Sequence, residues 1–105
     1  MMTSEVVGVV SMDRQKAIQV ATELRRAGIA TETFLSGNFK RQMARCAEFD
    51  AVVMLKDDGT TAIKDMITGN QMTVNGGDIV EQVQWVLEEG IFPRTISYEQ
   101  ALTLT

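Results

Sequence analysis

Residues 5–35, EVVGVVSMDRQKAIQVATELRRAGIATETFL, decide the fold. Glu5-Val6-Val7-Gly8-Val9-Val10 is continuously apolar and β-branched after its first residue, the pattern of a central strand buried on both faces. Ser11-Met12-Asp13 breaks that run, and the Asp13 carboxylate suits the free N–H groups that open a helix. Ala17, Val20, Ala21, Leu24 and Ala27 then recur at helical spacing, with Lys16, Gln19, Glu23 and Arg26 largely opposite them. Gly28 supplies a left-handed terminator, so the spacing predicts a helix over 14–27. Residues 29–35 carry the next strand, with Ile29, Thr31, Thr33 and Leu35 on one side. Strand, helix and strand make a right-handed βαβ unit.

Working outward, Ser36-Gly37-Asn38 opens a second helix over about 38–48, with Phe39, Met43, Cys46 and Ala47 on one face. Lys40, Arg41 and Arg45 lie away from it. Ala51–Leu55 is a third buried strand, and Lys56-Asp57-Asp58-Gly59 a polar turn. Thr60–Ile67 and Gln71–Val74 read as a hairpin around Thr68-Gly69-Asn70. Asp78 and Glu81 have capping-box spacing before the stripe Ile79, Val83, Val86 and Leu87, and Gly90 stops that helix. The order β-α-β-α-β-β-β-α gives an α/β domain over 1–90, three layers with a five-stranded mixed sheet between helices. Residues 91–105 form a tail; Pro93 bars helix at its own position, and Ser97 with Gln100 has the spacing to cap a last short helix.

Composition narrows the function. The 105 residues are 45% hydrophobic and 23% charged, an ordinary globular balance for one domain. The longest apolar run is too short for a bilayer and Glu5 interrupts a signal-peptide reading, so the expected location is cytoplasmic, with no membrane partner. No histidine is present, which removes a His general base and a His-liganded metal from this chain. With Cys46 alone there is no internal disulfide, C-x-x-C pair or thiolate zinc site. No cofactor is expected, because G-x-G-x-x-G and G-x-x-x-x-G-K-[ST] are both missing. A small flavodoxin-like or hydrolase-like enzyme is therefore the last-ranked reading. The net charge of −4 is unevenly spread: residues 1–56 hold eight Lys/Arg and six Asp/Glu (+2), residues 57–105 two and eight (−6). An anionic partner should meet the first half.

The run Leu24-Arg25-Arg26-Ala27-Gly28-Ile29, then Leu35-Ser36-Gly37, Lys40-Arg41-Gln42-Met43 and Ala47, resembles the C-terminal anticodon-binding domain of class II aminoacyl-tRNA synthetases, histidyl-tRNA synthetase above all. Ile63-Lys64-Asp65-Met66 and Thr68-Gly69-Asn70-Gln71 look like that family's later Val-Lys-Asp-Leu and Thr-Gly-Glu-Gln segments. The resemblance covers about residues 5–87. It implies a non-catalytic module that grips a tRNA anticodon loop, either alone or beside a separate catalytic domain. One departure stands out: Leu55-Lys56-Asp57-Asp58-Gly59 lacks the family's Gly-x-x-Glu pattern after the third strand.

The resemblance places Lys64 towards the anticodon; without it, Lys64 is a solvated strand lysine. Lys40, Arg41 and Arg45 are candidates for backbone phosphates, although a charged helix face is ordinarily only solvated. Lys56, Asp57 and Asp58 are candidates for base edges, a carboxylate being an acceptor suited to amino groups. Arg25 and Arg26 fit the helix C-terminus. Phe34 and Phe39 are the nearest aromatics for stacking but read as core, Trp85 as packed against the sheet or tail, and Cys46 as an inert buried thiol. The rival reading is a regulatory domain of the same fold that has lost RNA binding and uses the acidic half or the tail to meet a partner protein or a second copy.

Overall fold

The structure is a computed structural model and describes residues 5–34, 37–74, 77–91 and 96–97. The expectations on Leu35, Ser36, Pro93 and Gln100, and the helix beyond Ser97, lie outside those residues. In chain order the elements are β1 (Val6–Ser11), α1 (Arg14–Arg26), β2 (Ala30–Thr33), α2 (Phe39–Arg45), β3 (Ala51–Leu55), β4 (Thr61–Asp65), β5 (Gln71–Val74), α3 (Ile79–Glu89) and β6 (Ile96–Ser97).

The sheet runs β2-β1-β3-β4-β5-β6. β1 pairs in parallel with β2 and β3, whereas β3, β4 and β5 are antiparallel neighbours. This is the expected mixed five-stranded sheet, with one addition. Ile96 and Ser97 pair in parallel with Met72 and Thr73, so part of the expected tail is a short sixth strand. Ser97 is thus strand on its N-terminal side.

Alternation along the strands sorts the core into two layers. Val7, Val9, Ala51, Val53, Ile63 and Met72 face Ala17, Ala21 and Leu24 of α1 and Val83 and Val86 of α3. On the other face Val10, Val52, Met54 and Ala62 meet Phe39, Met43 and Cys46 around α2. Gly8 has a steric reason. A Cβ there would stand 2.7 Å from Cys46 Sγ and 2.9 Å from Phe49 Cδ2, closer than carbon tolerates. Its absence lets the segment after α2 press onto β1.

The helix ends follow their capping chemistry. Asp13 accepts from the N–H groups of Gln15 and Lys16. At the far end Gly28, at φ 87°, lets its own N–H reach Arg25 O and the Ile29 N–H reach Leu24 O, both at 3.0 Å. Asp78 accepts from Val80 N–H, and Gly90 closes α3. The second helix is shorter than expected: it ends at Arg45 with Cys46 as its cap, and Ala47 is exposed rather than apolar-facing.

Candidate nucleic-acid interface

α2 lies over β1, where Gly8 and Val10 receive it, and its outer side carries Lys40, Arg41 and Arg45, all exposed. Arg41 and Arg45 are four residues apart and so share one helix face. Asn38 sets the start of the helix by accepting from Arg41 N–H at 2.9 Å.

The residue that locates α2 is Gln42. It is 3% exposed, and its carboxamide takes the Ser11 N–H on Oε1 at 3.1 Å while Nε2 donates to Ser11 O at 3.1 Å and Gly37 O at 3.0 Å. β2 ends at Thr33, opposite Val9, and does not reach Ser11. The Gln42 side chain thus serves as a substitute strand for both main-chain groups of Ser11 and fastens the basic helix to the end of β1. Sequence reading noted Gln42 only as part of a motif; an amphipathic-helix pattern gives no signal for a buried amide 31 residues away from its partner.

β4 and β5 extend the same sheet face past α2. Lys64 stands opposite Val52 on one side and Gln71 on the other, and Thr73 lies two residues beyond Gln71. All three side chains are half-buried. Among the described residues no ion pair occupies Lys40, Arg41 or Lys64. The cross-strand pairing of Lys64 and Gln71 puts their Cβ atoms about 5 Å apart, with both side chains on the α2 face of the sheet. A carboxamide offers both a donor and an acceptor to a base edge.

The candidates do not form one cluster. Lys40 and Arg41 start α2 at the end of the sheet where β1 and β3 finish, the same end as the turn carrying Lys56, Asp57 and Asp58. Lys64 sits three residues down β4 from that rim, about 10 Å away along the strand. Arg45 points elsewhere: its guanidinium lies 5.9 Å over the Phe34 ring, which stacks on Phe49 at 6.5 Å between centroids. Phe34 follows edge strand β2, so Arg45 and Lys64 flank the face about three strand spacings apart, roughly 14 Å.

The β3–β4 connection is tight. Lys56 N–H donates to Thr60 O at 2.9 Å and Gly59 N–H to Lys56 O at 3.1 Å, with Gly59 at φ 87°, leaving a three-residue loop. Asp58 Oδ1 accepts from both Thr60 N–H (2.9 Å) and Thr60 Oγ1 (2.6 Å), which holds this carboxyl below its ordinary range. One Asp58 oxygen is therefore committed to the turn, while Asp57 and Lys56 are exposed.

Other singled-out residues have structural partners. Arg25 leaves the helix end and donates from Nε (3.2 Å) and Nη2 (2.8 Å) to Thr31 O, covering an outward carbonyl of edge strand β2. Burial, with the Glu32 charge second, pushes the Cys46 thiol up to about 11. Trp85 packs against the α1/α3 layer of the core.

The acidic and basic groups concentrate on different helices. α3 exposes Asp78, Glu81, Glu88 and Glu89, and α1 beside it on the same sheet face exposes Arg14, Lys16, Arg25 and Arg26 against Glu23. The α2 side carries Lys40, Arg41, Arg45 and Lys64 against Glu32 on β2 and Glu48 after α2. Among the described residues no group of three or more His, Cys, Asp or Glu could hold a metal ion, and no helix is long and apolar enough to cross a membrane.

The α/β fold, with a parallel β2-β1-β3 half and an antiparallel β3-β4-β5 half, recurs in solved tRNA-synthetase structures. Histidyl-tRNA synthetase from Nostoc sp. PCC 7120 is similar over 81% of this chain and 23% of its own, with a TM-score of 0.67 and 24% identity. The RNA binding domain of threonyl-tRNA synthetase from Cryptosporidium parvum Iowa II is similar over 86% of this chain and 24% of the other, with a TM-score of 0.58 and 15% identity. The chain thus spans about a quarter of the length of these solved chains. No protein-family model and no curated protein matches it.

Proposed function

We propose that this chain is a non-catalytic RNA-recognition module that takes the anticodon loop of a tRNA on the α2 side of its sheet. The observation that carries the reading is the exposed basic side of α2, with Lys64 beyond it on the same sheet face, on a fold shared with solved tRNA-synthetase structures. Lys40 and Arg41 meet phosphates at the rim, and Lys64 with Gln71 meets base edges on the β4–β5 floor. Arg45, whose guanidinium lies 5.9 Å from the Phe34 ring centroid, offers a cationic plane to an unstacked base. Any aminoacylation belongs to a separate catalytic domain, the expected partner within a larger synthetase.

Titration of the chain with tRNA at two salt concentrations tests this. Two phosphate contacts, from Lys40 and Arg41, on single-stranded RNA give a slope of about −1.4 in log affinity against log salt. Lys64→Gln should weaken binding while leaving that slope nearly intact; Lys40→Gln with Arg41→Gln should flatten it. Absence of binding at low salt, both alone and linked to a synthetase catalytic domain, sinks the RNA reading.

A second reading has its own support. The three-residue β3–β4 loop lacks the Gly-x-x-Glu pattern and commits Asp58 to Thr60, so a base-reading element is reduced. A regulatory domain that binds a partner protein, or a second copy of itself, would need no such element.

A further inference from the structure

The sheet end opposite the α2 N-terminus carries a feature that RNA binding does not use. Ile67 is 80% exposed, the most exposed large hydrophobic side chain among the described residues. It stands at the mouth of a groove of about 230 Å³ whose walls include Val86 and Leu87, with Glu5, Glu88 and Glu89 around them.

The turn bearing Ile67 is rigidly built. Asp65, 3% exposed, accepts on Oδ1 from the N–H groups of Ile67 (2.9 Å) and Thr68 (3.3 Å), and on Oδ2 from Ile91 N–H (2.9 Å). In return Thr68 Oγ1 and Asn70 Nδ2 both donate to Ile91 O at 2.8 Å. One buried carboxylate therefore ties the β4–β5 turn to the segment leaving α3. The result is an apolar side chain held out in water on a fixed backbone. Such preorganisation removes the ordering cost that a mobile loop would meet on binding.

We propose that this edge is a docking surface for a cationic polypeptide segment. An apolar side chain of the partner covers Ile67 and enters the groove between Ile67, Val86 and Leu87, and Lys or Arg side chains meet Glu5, Glu88 and Glu89. Charge complementarity selects that occupant: a nucleic acid or an acidic peptide would be repelled by the same carboxylates. The site is independent of the α2-side reading: it lies at the opposite sheet end from Lys40 and Arg41, on the turn just beyond the Lys64–Gln71 pair, with its groove on the α3 side.

The test uses the ¹⁵N-labelled full chain and two synthetic peptides of equal length, one alternating Lys and Leu, the other Glu and Leu. The proposal expects saturable shifts with the Lys/Leu peptide at Ile67, Thr68 and residues 86–90, weakening as salt rises, and none with the Glu/Leu peptide. Ile67→Ser, an exposed position that should leave the fold intact, weakens binding about tenfold, as removal of a central anchor does. Glu88→Gln with Glu89→Gln flattens the salt dependence. Shifts centred elsewhere, equal binding of both peptides, no saturable binding, or an unchanged affinity of Ile67→Ser each overturn the proposal. A dimer in sedimentation velocity that Ile67→Ser abolishes assigns the face to a second copy, and overturns it too.

Discussion

Replacing Gln42 by leucine removes three hydrogen bonds while nearly preserving volume. The Ser11 N–H and C=O lie in a buried site, and each loses its partner when the carboxamide goes. Leaving a buried polar group unsatisfied costs about 1–3 kcal/mol, so the pair costs roughly 2–6 kcal/mol. Gly37 O, at an exposed turn, can turn to water and adds little. Burying a leucine returns roughly 1.5–3 kcal/mol. The net expectation for Gln42→Leu is a loss of about 2 kcal/mol, or roughly 10 °C in Tm for a domain this size. Urea unfolding at pH 7 measures it, with RNA affinity read in parallel, because α2 carries Lys40 and Arg41. A loss below about 0.5 kcal/mol with unchanged RNA binding would refute the idea that this amide moors the basic helix.

Three further outcomes follow from the packing. Gly8→Ala drives a Cβ against Cys46 Sγ and Phe49 and should cost about 1–3 kcal/mol in urea unfolding; a neutral result would mean that the segment after α2 yields freely. Asp65→Ala strips the acceptor from three backbone N–H groups, should cost about 3 kcal/mol, and should speed hydrogen exchange at Ile91 and Thr68 before other amides. The Cys46 thiol, raised to about 11 from an unfolded value near 9, keeps its proton longer in the folded chain. Its contribution is therefore full below pH 9 and lost as pH rises from 9 to 11, and a thiol reagent at pH 8 should label the unfolded chain far faster than the native one.

The parts of the fold legible in the sequence are those governed by local chemistry. Asp13, Gly28, Asp78 and Gly90 mark helix ends because capping is decided within a few residues, and the structure places α1 and α3 between them. β1 and β3 read correctly because a strand buried on both faces must be apolar throughout. Long-range polar contacts left no such trace. Gln42 and Asp65 act on partners 31 and 26 residues away and look like ordinary polar positions in a helix and a strand. The hairpin ran short for the same reason: Asp65 turns the chain, so β4 stops there instead of reaching Ile67. β6 is two residues long, below the length at which alternation can be seen, and it exists because β5 offered an edge. Of the site, the basic outer side of α2 was legible from helical spacing. Gln71 beside Lys64 was not, since cross-strand register is set by the whole hairpin.

The most direct measurement is amide-shift mapping of the ¹⁵N-labelled chain with an isolated tRNA anticodon stem-loop. The account predicts shifts along residues 38–45 and at Lys64, Gln71 and Thr73, with α3 silent. Shifts centred on α3, or no change at any residue at low salt, would contradict it.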